Sequence, residues 1–243
     1  KRILGQDFQI GTTKTPEKGE QISLFGDPIF IPDPEPKESS EFKNINDIKP
    51  DYKLIDKDDD IKQLIEDFKN VKTFCFDTET TGLDPHTSDI IGISLCYKKK
   101  NAFYIPLDNK NRTSRLTLLK NILEDETKEK VGHNLKFDIQ FLFKHNIHLK
   151  GKLFDTMIAH YLIDPETRHG MNILAENHLN YSPVQIEELI GKKGKSQLNM
   201  KDVPIDKMVN YACEDSDITL QLKEVFKPIL KERKVYQLFK EIE

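Results

Sequence analysis

The sequence predicts a mixed α/β domain, with a sheet covered by helices, behind a polar N-terminal segment. Residues 71–107 contain short apolar runs typical of strands, whereas from residue 115 onward apolar residues recur with helical spacing. Strands that come first and helices that follow are typical of a sheet with helices packed on it. The chain of 243 residues is long enough for one large domain with an appendage.

The first half of the domain is predicted to be a helix followed by a three-stranded meander. Acidic residues open a helix at residues 56–68, in which apolar side chains recur at i, i+3, i+4 and i+7. Strands are predicted at residues 71–77, 90–97 and 102–107, and the lysine-rich turn at residues 98–101 is expected to be a solvated hairpin tip. The strands are therefore expected to pair antiparallel.

The second half of the domain is predicted to be mainly helical. A short strand at residues 130–133 interrupts it, and the basic loop at residues 191–195 is expected to be mobile. The longest helix, residues 205–226, carries a broad apolar stripe, and a last helix is expected from Pro228 onward. Shorter helices are predicted at residues 115–123, 134–144, 154–162, 171–179 and 184–190.

Charge, cysteine content and hydropathy exclude several classes of protein. The net charge of −4 shows that the chain as a whole is not a basic nucleic-acid-binding protein. Cys75, Cys96 and Cys213 are far apart in the sequence, which argues for reduced thiols and against disulfides or a zinc site. No apolar run approaches the length of a membrane span, and no secretory signal is present. Because the chain begins with Lys1, we expect it to be a piece of a longer protein.

Asp77 and Glu79 stand where a buried strand would be expected to continue with apolar residues. Residues two apart on a strand point to the same face, so these two carboxylates project side by side. Two like charges at that distance raise each other's pKa unless a positive charge lies between them. A divalent cation would supply that charge. For an isolated pair, two solvated acids at the end of a strand would be the usual interpretation.

Two further acids occupy positions where polarity is costly. Asp138 lies in a predicted helix that otherwise carries large apolar side chains, and Asp215 lies on the longest predicted helix. Tyr211 precedes Asp215 by one helical turn and shares its face. Each acid alone could be a capping or surface residue. Together with Asp77 and Glu79, they are best explained by convergence on metal.

Three motifs together resemble those of the DEDD exonuclease superfamily. They are Phe-Asp-Thr-Glu-Thr-Thr-Gly-Leu at residues 76–83, Gly-His-Asn-Leu-Lys-Phe-Asp at residues 132–138 and Tyr-Ala-Cys-Glu-Asp at residues 211–215. The spacing in the third motif marks the subclass with a catalytic tyrosine. Residues 154–157 and 191–195 resemble the proofreading domain of bacterial DNA polymerase I in particular.

This resemblance implies a fold and a domain organisation. The fold would be a ribonuclease H-like mixed sheet, in which an antiparallel meander is joined to parallel strands and flanked by helices. A 3′-5′ exonuclease domain would occupy residues 51–227, and residues 228–243 would begin a polymerase-domain region. The parent chain would work in the bacterial cytoplasm, associated with the nucleoid.

The resemblance also implies a two-metal mechanism with Mg²⁺ or Mn²⁺. Asp77 would bridge both ions, Glu79 and Asp215 would complete the tighter site, and Asp138 would support the second. Tyr211 would orient the attacking water together with Glu79. The product would be a nucleoside 5′-monophosphate from the 3′ end of DNA.

Three residues are expected to bind the single-stranded substrate end. Leu83 would wedge against the terminal bases, while the backbone of Thr80 and the side chain of Asn134 would hold sugar and phosphate. Ordinary turn and cap chemistry is the alternative, because Asn134 sits well as a helix N-cap.

Residues 1–50 are predicted to be a linker that buries too little apolar surface to offset the entropy of ordering. A short stretch of this segment, residues 21–25, resembles the peptide with which bacterial DNA-processing proteins bind the sliding clamp. Gln21 would set its register, and Leu24 and Phe25 would enter an apolar pocket. Alternatively, Leu24 and Phe25 pack the linker onto the globular domain.

Two other functions compete with DNA proofreading. An RNA-trimming exonuclease of the ribonuclease D type uses the same motifs, although the polymerase-like flanks argue against it. A non-catalytic module that binds DNA ends is the alternative outside enzymes. The presence of all four acids and the tyrosine argues against that alternative.

Overall fold

One mixed sheet forms the centre of the protein, with its strands in the spatial order β1-β4-β3-β2-β5-β6. β2, β3 and β4 pair antiparallel, while β1, β5 and β6 pair parallel with β4, β2 and β5. The predicted antiparallel meander joined to parallel strands is thereby confirmed. The strands are β1 (Asp51–Leu54), β2 (Thr73–Thr80), β3 (Ile90–Lys98), β4 (Asn101–Pro106), β5 (Glu129–Gly132) and β6 (Leu153–Asp155).

Helices occupy most of the remaining chain in this computed structural model, which describes residues 42–192, 194 and 196–242. Single 3₁₀ turns at Phe68–Asn70 and Met200–Asp202 precede β2 and α8. The α-helices are α1 (Ile45–Ile48), α2 (Asp58–Asp67), α3 (Arg112–Leu123), α4 (Leu135–Lys144), α5 (Thr156–Ile163), α6 (Met171–Leu179), α7 (Ile186–Ile190), α8 (Ile205–Glu232) and α9 (Tyr236–Ile242). Within the part of the chain that the structure describes, no helix has the length and apolar composition needed to cross a membrane.

Two predicted helix boundaries need correction. α8 does not end at residue 226 but continues through Pro228, because Phe226 and Leu230 are both fully buried on either side of the proline and offset its missing backbone donor. The helix predicted from residue 154 begins at Thr156, because the preceding residues pair with β5 as β6. One compact unit comprises Phe42–Glu243, whereas the predicted start of the exonuclease domain at residue 51 stays a prediction.

Most of that linker lies outside the described residues, and so do Gln21, Leu24 and Phe25 of the predicted clamp-binding peptide. Its final part is attached to the domain through the backbone. Lys43 donates from its amide to Asn180 (3.2 Å), and its carbonyl accepts from Ser182 (2.8 Å). Lys193 and Lys195 of the predicted mobile loop also lie outside the described residues.

Apolar side chains of β2 alternate between two cores on the two faces of the sheet. Phe74 and Phe76 belong to the core with α2, α3 and α4, whereas Cys75 belongs to the core with α5, α6 and α8. The same alternation turns Asp77 and Glu79 toward α8. The sheet therefore lies between two helical layers, and the acids end up on the side of the longest helix.

Two buried acids fasten α8 to its surroundings. Asp217 accepts hydrogen bonds from the Tyr52 hydroxyl (2.9 Å), the Lys100 amide (3.0 Å) and the Gln221 side chain (2.9 Å). Glu214 accepts from the hydroxyl of Tyr181 and, at 2.7 Å, from the amide of Val184. These contacts fix the position of α8 along the sheet.

Candidate active site

Three carboxylates converge between the sheet and α8. Carboxylate oxygens of Asp77, Glu79 and Asp215 all lie within 4.8 Å of one another. Asp77 and Glu79 are on β2, which is held by β3 on one side and β5 on the other, and Asp215 is on α8. A central strand and the helix fastened to it thus bring together residues that are far apart in the sequence.

The environment of this cluster disfavours three negative charges without a cation. Burial, followed by the charge of Asp138, raises the pKa of Glu79 to about 8. Burial together with neighbouring carboxylates raises the pKa of Asp77 and of Asp215 well above the ordinary value. Among the described residues, Glu79 Oε1 and Asp215 Oδ1 are buried without any hydrogen-bond partner. Carboxylate oxygens of this kind fit a hard divalent cation such as Mg²⁺ or Mn²⁺.

Asp138 lies beside the cluster but has partners of its own. Its Oδ1 accepts from the Thr78 amide (3.0 Å) and the Thr78 hydroxyl (2.6 Å), and the residue is 2% exposed. Burial, and then the charge of Asp77, raises the pKa of Asp138 well above its ordinary value. The structure therefore places the fourth acid near Asp77, held by the threonine that separates Asp77 from Glu79. No local pattern in the sequence indicates this role of Thr78.

Tyr211 lies against Asp215, one turn away on α8. Burial and then the charge of Asp215 raise the pKa of the Tyr211 hydroxyl above its ordinary value of 10.0. The hydroxyl is therefore protonated at neutral pH and can donate a hydrogen bond. This is the state that the positioning of a water molecule requires.

The turn after β2 is held by hydrogen bonds, and its apolar side chain faces solvent. Leu83 is 86% exposed, while the hydroxyl of Thr80 donates to the Gly82 carbonyl (2.9 Å). The two ends of the turn are paired, because the Thr81 amide donates to the Asp89 carbonyl and the Asp89 amide to the Thr81 hydroxyl, both at 3.0 Å. Leu83 thus lies in a turn whose two ends are joined by hydrogen bonds, four residues after Glu79.

Asn134 occupies the N-cap position of α4 but does not cap it with its side chain. Its φ of 64° is left-handed, which asparagine tolerates, and its side chain makes no capping hydrogen bond. The cap is supplied by Asp155, which accepts from the amides of Asn134 (3.0 Å) and Leu135 (2.7 Å). The capping interpretation of the Asn134 side chain is therefore wrong, and the residue is exposed to solvent.

Asp155 itself was missed by sequence analysis as a structural part of the site. It also accepts from the Met157 amide (2.8 Å), so one carboxylate holds the first turns of both α4 and α5. The available signal was an aspartate directly before a run of helix-forming residues, which is typical of an N-cap. Because α4 carries Asp138, this cap helps to place the fourth acid.

Comparison with known proteins agrees with this arrangement. Residues 52–231 match the family described as 3′-5′ exonuclease. DNA polymerase I of Borreliella burgdorferi is 32% identical over 232 residues, which cover 93% of this chain and 24% of that protein. DNA polymerase I of Pseudomonas aeruginosa is 35% identical over 171 residues, covering 66% of this chain and 19% of that protein. The chain thus spans about a quarter or less of the length of these curated relatives.

Solved structures share the fold at low identity. Brucella melitensis NrnC aligns with a TM-score of 0.62 at 20% identity, covering 79% of this chain and 86% of that one. Escherichia coli RNase D aligns with a TM-score of 0.60 at 18% identity, covering 75% and 46%. The fold is therefore ribonuclease H-like. With the family match over residues 52–231, the chain belongs to the divalent-metal-dependent 3′-5′ exonucleases, as an exonuclease domain of the DNA polymerase I type.

Proposed function

We propose that this domain removes nucleotides one at a time from single-stranded or frayed DNA 3′ ends, as the proofreading part of a DNA polymerase I. The observation that carries the proposal is the cluster of Asp77, Glu79 and Asp215, whose carboxylate oxygens lie within 4.8 Å of one another. Two buried oxygens of this cluster lack partners among the described residues, as expected of atoms that serve a cation. The polymerase I relatives supply the polymerase context.

Two divalent ions, Mg²⁺ or Mn²⁺, would be held by four carboxylates. Asp77 would serve both ions, Glu79 and Asp215 the first, and Asp138 the second. A solved structure of Brucella melitensis NrnC with bound Mg²⁺ supports the choice of metal. When bound, such ions lower the pKa of an attacking water and offset negative charge on the phosphorus centre and the leaving 3′-oxygen. Thr78 would hold Asp138 in place through its two hydrogen bonds.

Tyr211 and Glu79 would orient the attacking water. The raised pKa of Tyr211 keeps its proton on the hydroxyl, so the tyrosine donates a hydrogen bond and does not act as a base. We expect Tyr211→Phe to lower kcat by about 10- to 100-fold, because the metal ligands remain. Single-turnover digestion at saturating metal measures this. A loss as large as that of Asp77→Ala would contradict the positioning role.

Substrate would be held by the turn after β2 and by the start of α4. The exposed Leu83 side chain would wedge against the terminal bases, while Thr80 and Asn134 would contact sugar and phosphate. A base stacked on an apolar side chain is recognised without sequence preference. We therefore expect digestion to vary little with sequence and to require an unpaired end.

The deciding experiment follows oligonucleotides labelled at the 5′ end, one of DNA and one of RNA, through digestion from the 3′ end. With Mg²⁺ we expect a ladder of shortened DNA products and nucleoside 5′-monophosphates, and with EDTA no products. Asp77→Asn provides the inactive control. Faster digestion of RNA would favour the ribonuclease D type of activity, and binding of DNA ends without cleavage would favour the non-catalytic module.

The clamp-binding role of the N-terminal segment remains a prediction from sequence. We propose that Gln21, Leu24 and Phe25 bind the sliding clamp, and that the parent chain acts in the bacterial cytoplasm at the nucleoid. A pull-down with purified clamp compares the wild-type chain with a Leu24→Ala/Phe25→Ala variant. Equal capture of both chains would remove the clamp from the proposal without affecting the exonuclease.

A further inference from the structure

One side chain, Asn199, connects the two parts of the chain that carry the site. It lies just before the 3₁₀ turn Met200–Asp202, which leads into α8. Its Nδ2 donates to the carbonyl of Thr81 (2.9 Å), and its Oδ1 accepts from the amide of Lys201 (3.1 Å). Both ends of the amide are therefore used, one inside its own segment and one on the turn that follows β2.

The two ends of that turn are held in different ways. The Asp89 end is fixed by charge, because Arg112 and Lys144 both lie 3.3 Å from the Asp89 carboxylate. The Thr81 end borders a cavity of about 690 Å³, which Thr81 and Asn199 both line. On this side, the Asn199 amide joins the turn to the segment before α8.

We propose that Asn199 is a positioning residue, whose amide holds the turn from Thr81 to Leu83 so that Leu83 meets the terminal base pair beside the carboxylates. The inference rests on the role that the proposed function gives to Leu83. A wedge matters most where the terminal base must be separated from its partner. Loss of the hydrogen bond from Asn199 to Thr81 should therefore slow removal of a mismatched primer end from a duplex more than digestion of single-stranded DNA.

Asn199→Asp removes the hydrogen bond to the Thr81 carbonyl and keeps the one from the Lys201 amide. Aspartate retains the oxygen that accepts from Lys201, but it replaces the Nδ2 donor with an oxygen that faces the Thr81 carbonyl oxygen. Asn172→Asp is the matched control, because Asn172 also donates from Nδ2, to Gln185 at 2.7 Å, without contacting the turn. The Tm of both variants, measured in EDTA, separates a loss of rate from a loss of stability.

The readout is the ratio of kcat/KM on a mismatched primer end to kcat/KM on single-stranded DNA, with Mg²⁺. We expect this ratio to fall on the order of tenfold in Asn199→Asp and to stay unchanged in Asn172→Asp. Leu83→Ala should lower the ratio in the same way. Because both residues act through one turn, Leu83→Ala/Asn199→Asp should be no worse than Leu83→Ala alone.

Three outcomes would overturn the inference. Equal losses on both substrates in Asn199→Asp would indicate a general structural role, and additive losses in the double variant would show that Asn199 does not act through Leu83. If Leu83→Ala leaves the ratio unchanged while DNA is still digested with Mg²⁺, the role of Leu83 fails and that of Asn199 fails with it, but the exonuclease assignment stands. Absence of digestion by the wild-type domain would instead overturn the proposed function.

Discussion

Asp215 and Asp217 lie two residues apart on α8, and both are buried, yet their surroundings differ completely. Asp217 is fully buried and accepts three hydrogen bonds from Tyr52, Lys100 and Gln221. Asp215 is 8% exposed, and within the described structure its buried Oδ1 has no partner. The hydrogen-bonding capacity of the Asp217 carboxylate is met within the protein. The buried oxygen of Asp215 would gain a partner only if a cation were bound.

The difference separates acids that stabilise the fold from acids that we propose to bind metal. Glu214 and Asp155 belong with Asp217, because each accepts hydrogen bonds from backbone amides and holds a helix in place. Asp77, Glu79 and Asp215 are gathered within 4.8 Å at a free-energy cost to the metal-free protein. Burial alone therefore does not identify a metal-binding acid. A buried carboxylate oxygen without a partner is the sharper indication, although Asp138 shows that a proposed metal ligand can also accept hydrogen bonds.

The largest effect is expected for Asp77→Ala. Removal of the ligand that the proposed function assigns to both ions should lower turnover by about three to five orders of magnitude. The fold should persist, since no hydrogen-bonded anchor is removed. Single-turnover digestion of DNA with saturating Mg²⁺ measures the rate, and circular dichroism checks the fold. Digestion at the wild-type rate would refute the metal assignment.

Asp217→Asn should lower the stability of the protein and leave its turnover almost unchanged. An amide cannot accept from all three donors, so at least one buried donor loses its partner, at a cost of about 1–3 kcal/mol. For a domain of this size, Tm should fall by about 2–4 °C for each kcal/mol. The rate per folded molecule should remain close to that of the wild type, as active-site titration can show. A large loss of turnover with unchanged Tm would mean that Asp217 belongs to the site.

Much of the fold and most of the site could be predicted from the sequence. The spacing of Asp77 and Glu79 on a strand and of Tyr211 and Asp215 on a helix fixes which face each side chain occupies. The apolar runs of β2 and β3 and the apolar stripe of α8 predicted two strands and a long helix, and the structure contains all three. Local patterns of this kind are visible in sequence because they depend on neighbours within a few residues.

Other features depend on partners far along the chain and could not be predicted. The pairing of β6 with β5 is set by three residues, too few for an alternating pattern. Two of the three donors to Asp217 come from β1 and from the β3–β4 turn, and only the third, Gln221, lies near Asp217 in the sequence. Asp155 is likewise distant in sequence from the helix α4 that it caps.

Asp215→Asn is the matched substitution to Asp217→Asn and should raise stability when no metal is present. Above pH 8, where the Glu79 carboxylate is charged, the substitution removes an acid from a cluster whose charges repel one another. Tm in EDTA should therefore rise by a few degrees, corresponding to about 1 kcal/mol. Turnover with Mg²⁺ should fall steeply in the same variant. A lower Tm in EDTA for Asp215→Asn would show that the Asp215 carboxylate stabilises the metal-free protein. Asp215 and Asp217 would then not differ in the way described above.

The smallest expected effect is a dependence of the metal-free stability on pH. The pKa of Glu79 is about 8 in the folded protein and 4.5 ordinarily, so between these values the folded state binds a proton that the unfolded chain has released. Stability contributed by this group is present below pH 4.5 and is lost as the pH rises toward 8. Burial lowers the pKa of His133 and His160 from 6.5 to about 4. These two histidines therefore make the folded state more stable as the pH rises, but only below pH 6.5.

The informative window is therefore pH 6.5 to 8, above the range in which these histidines titrate. In EDTA, Tm should fall across this window, with a slope of at most about 1.4 kcal/mol per pH unit for each proton released. Glu79→Gln should flatten the slope, because glutamine does not titrate, and saturating Mg²⁺ should flatten it by stabilising the charged carboxylates. A slope that is unchanged in Glu79→Gln would place its origin outside the carboxylate cluster.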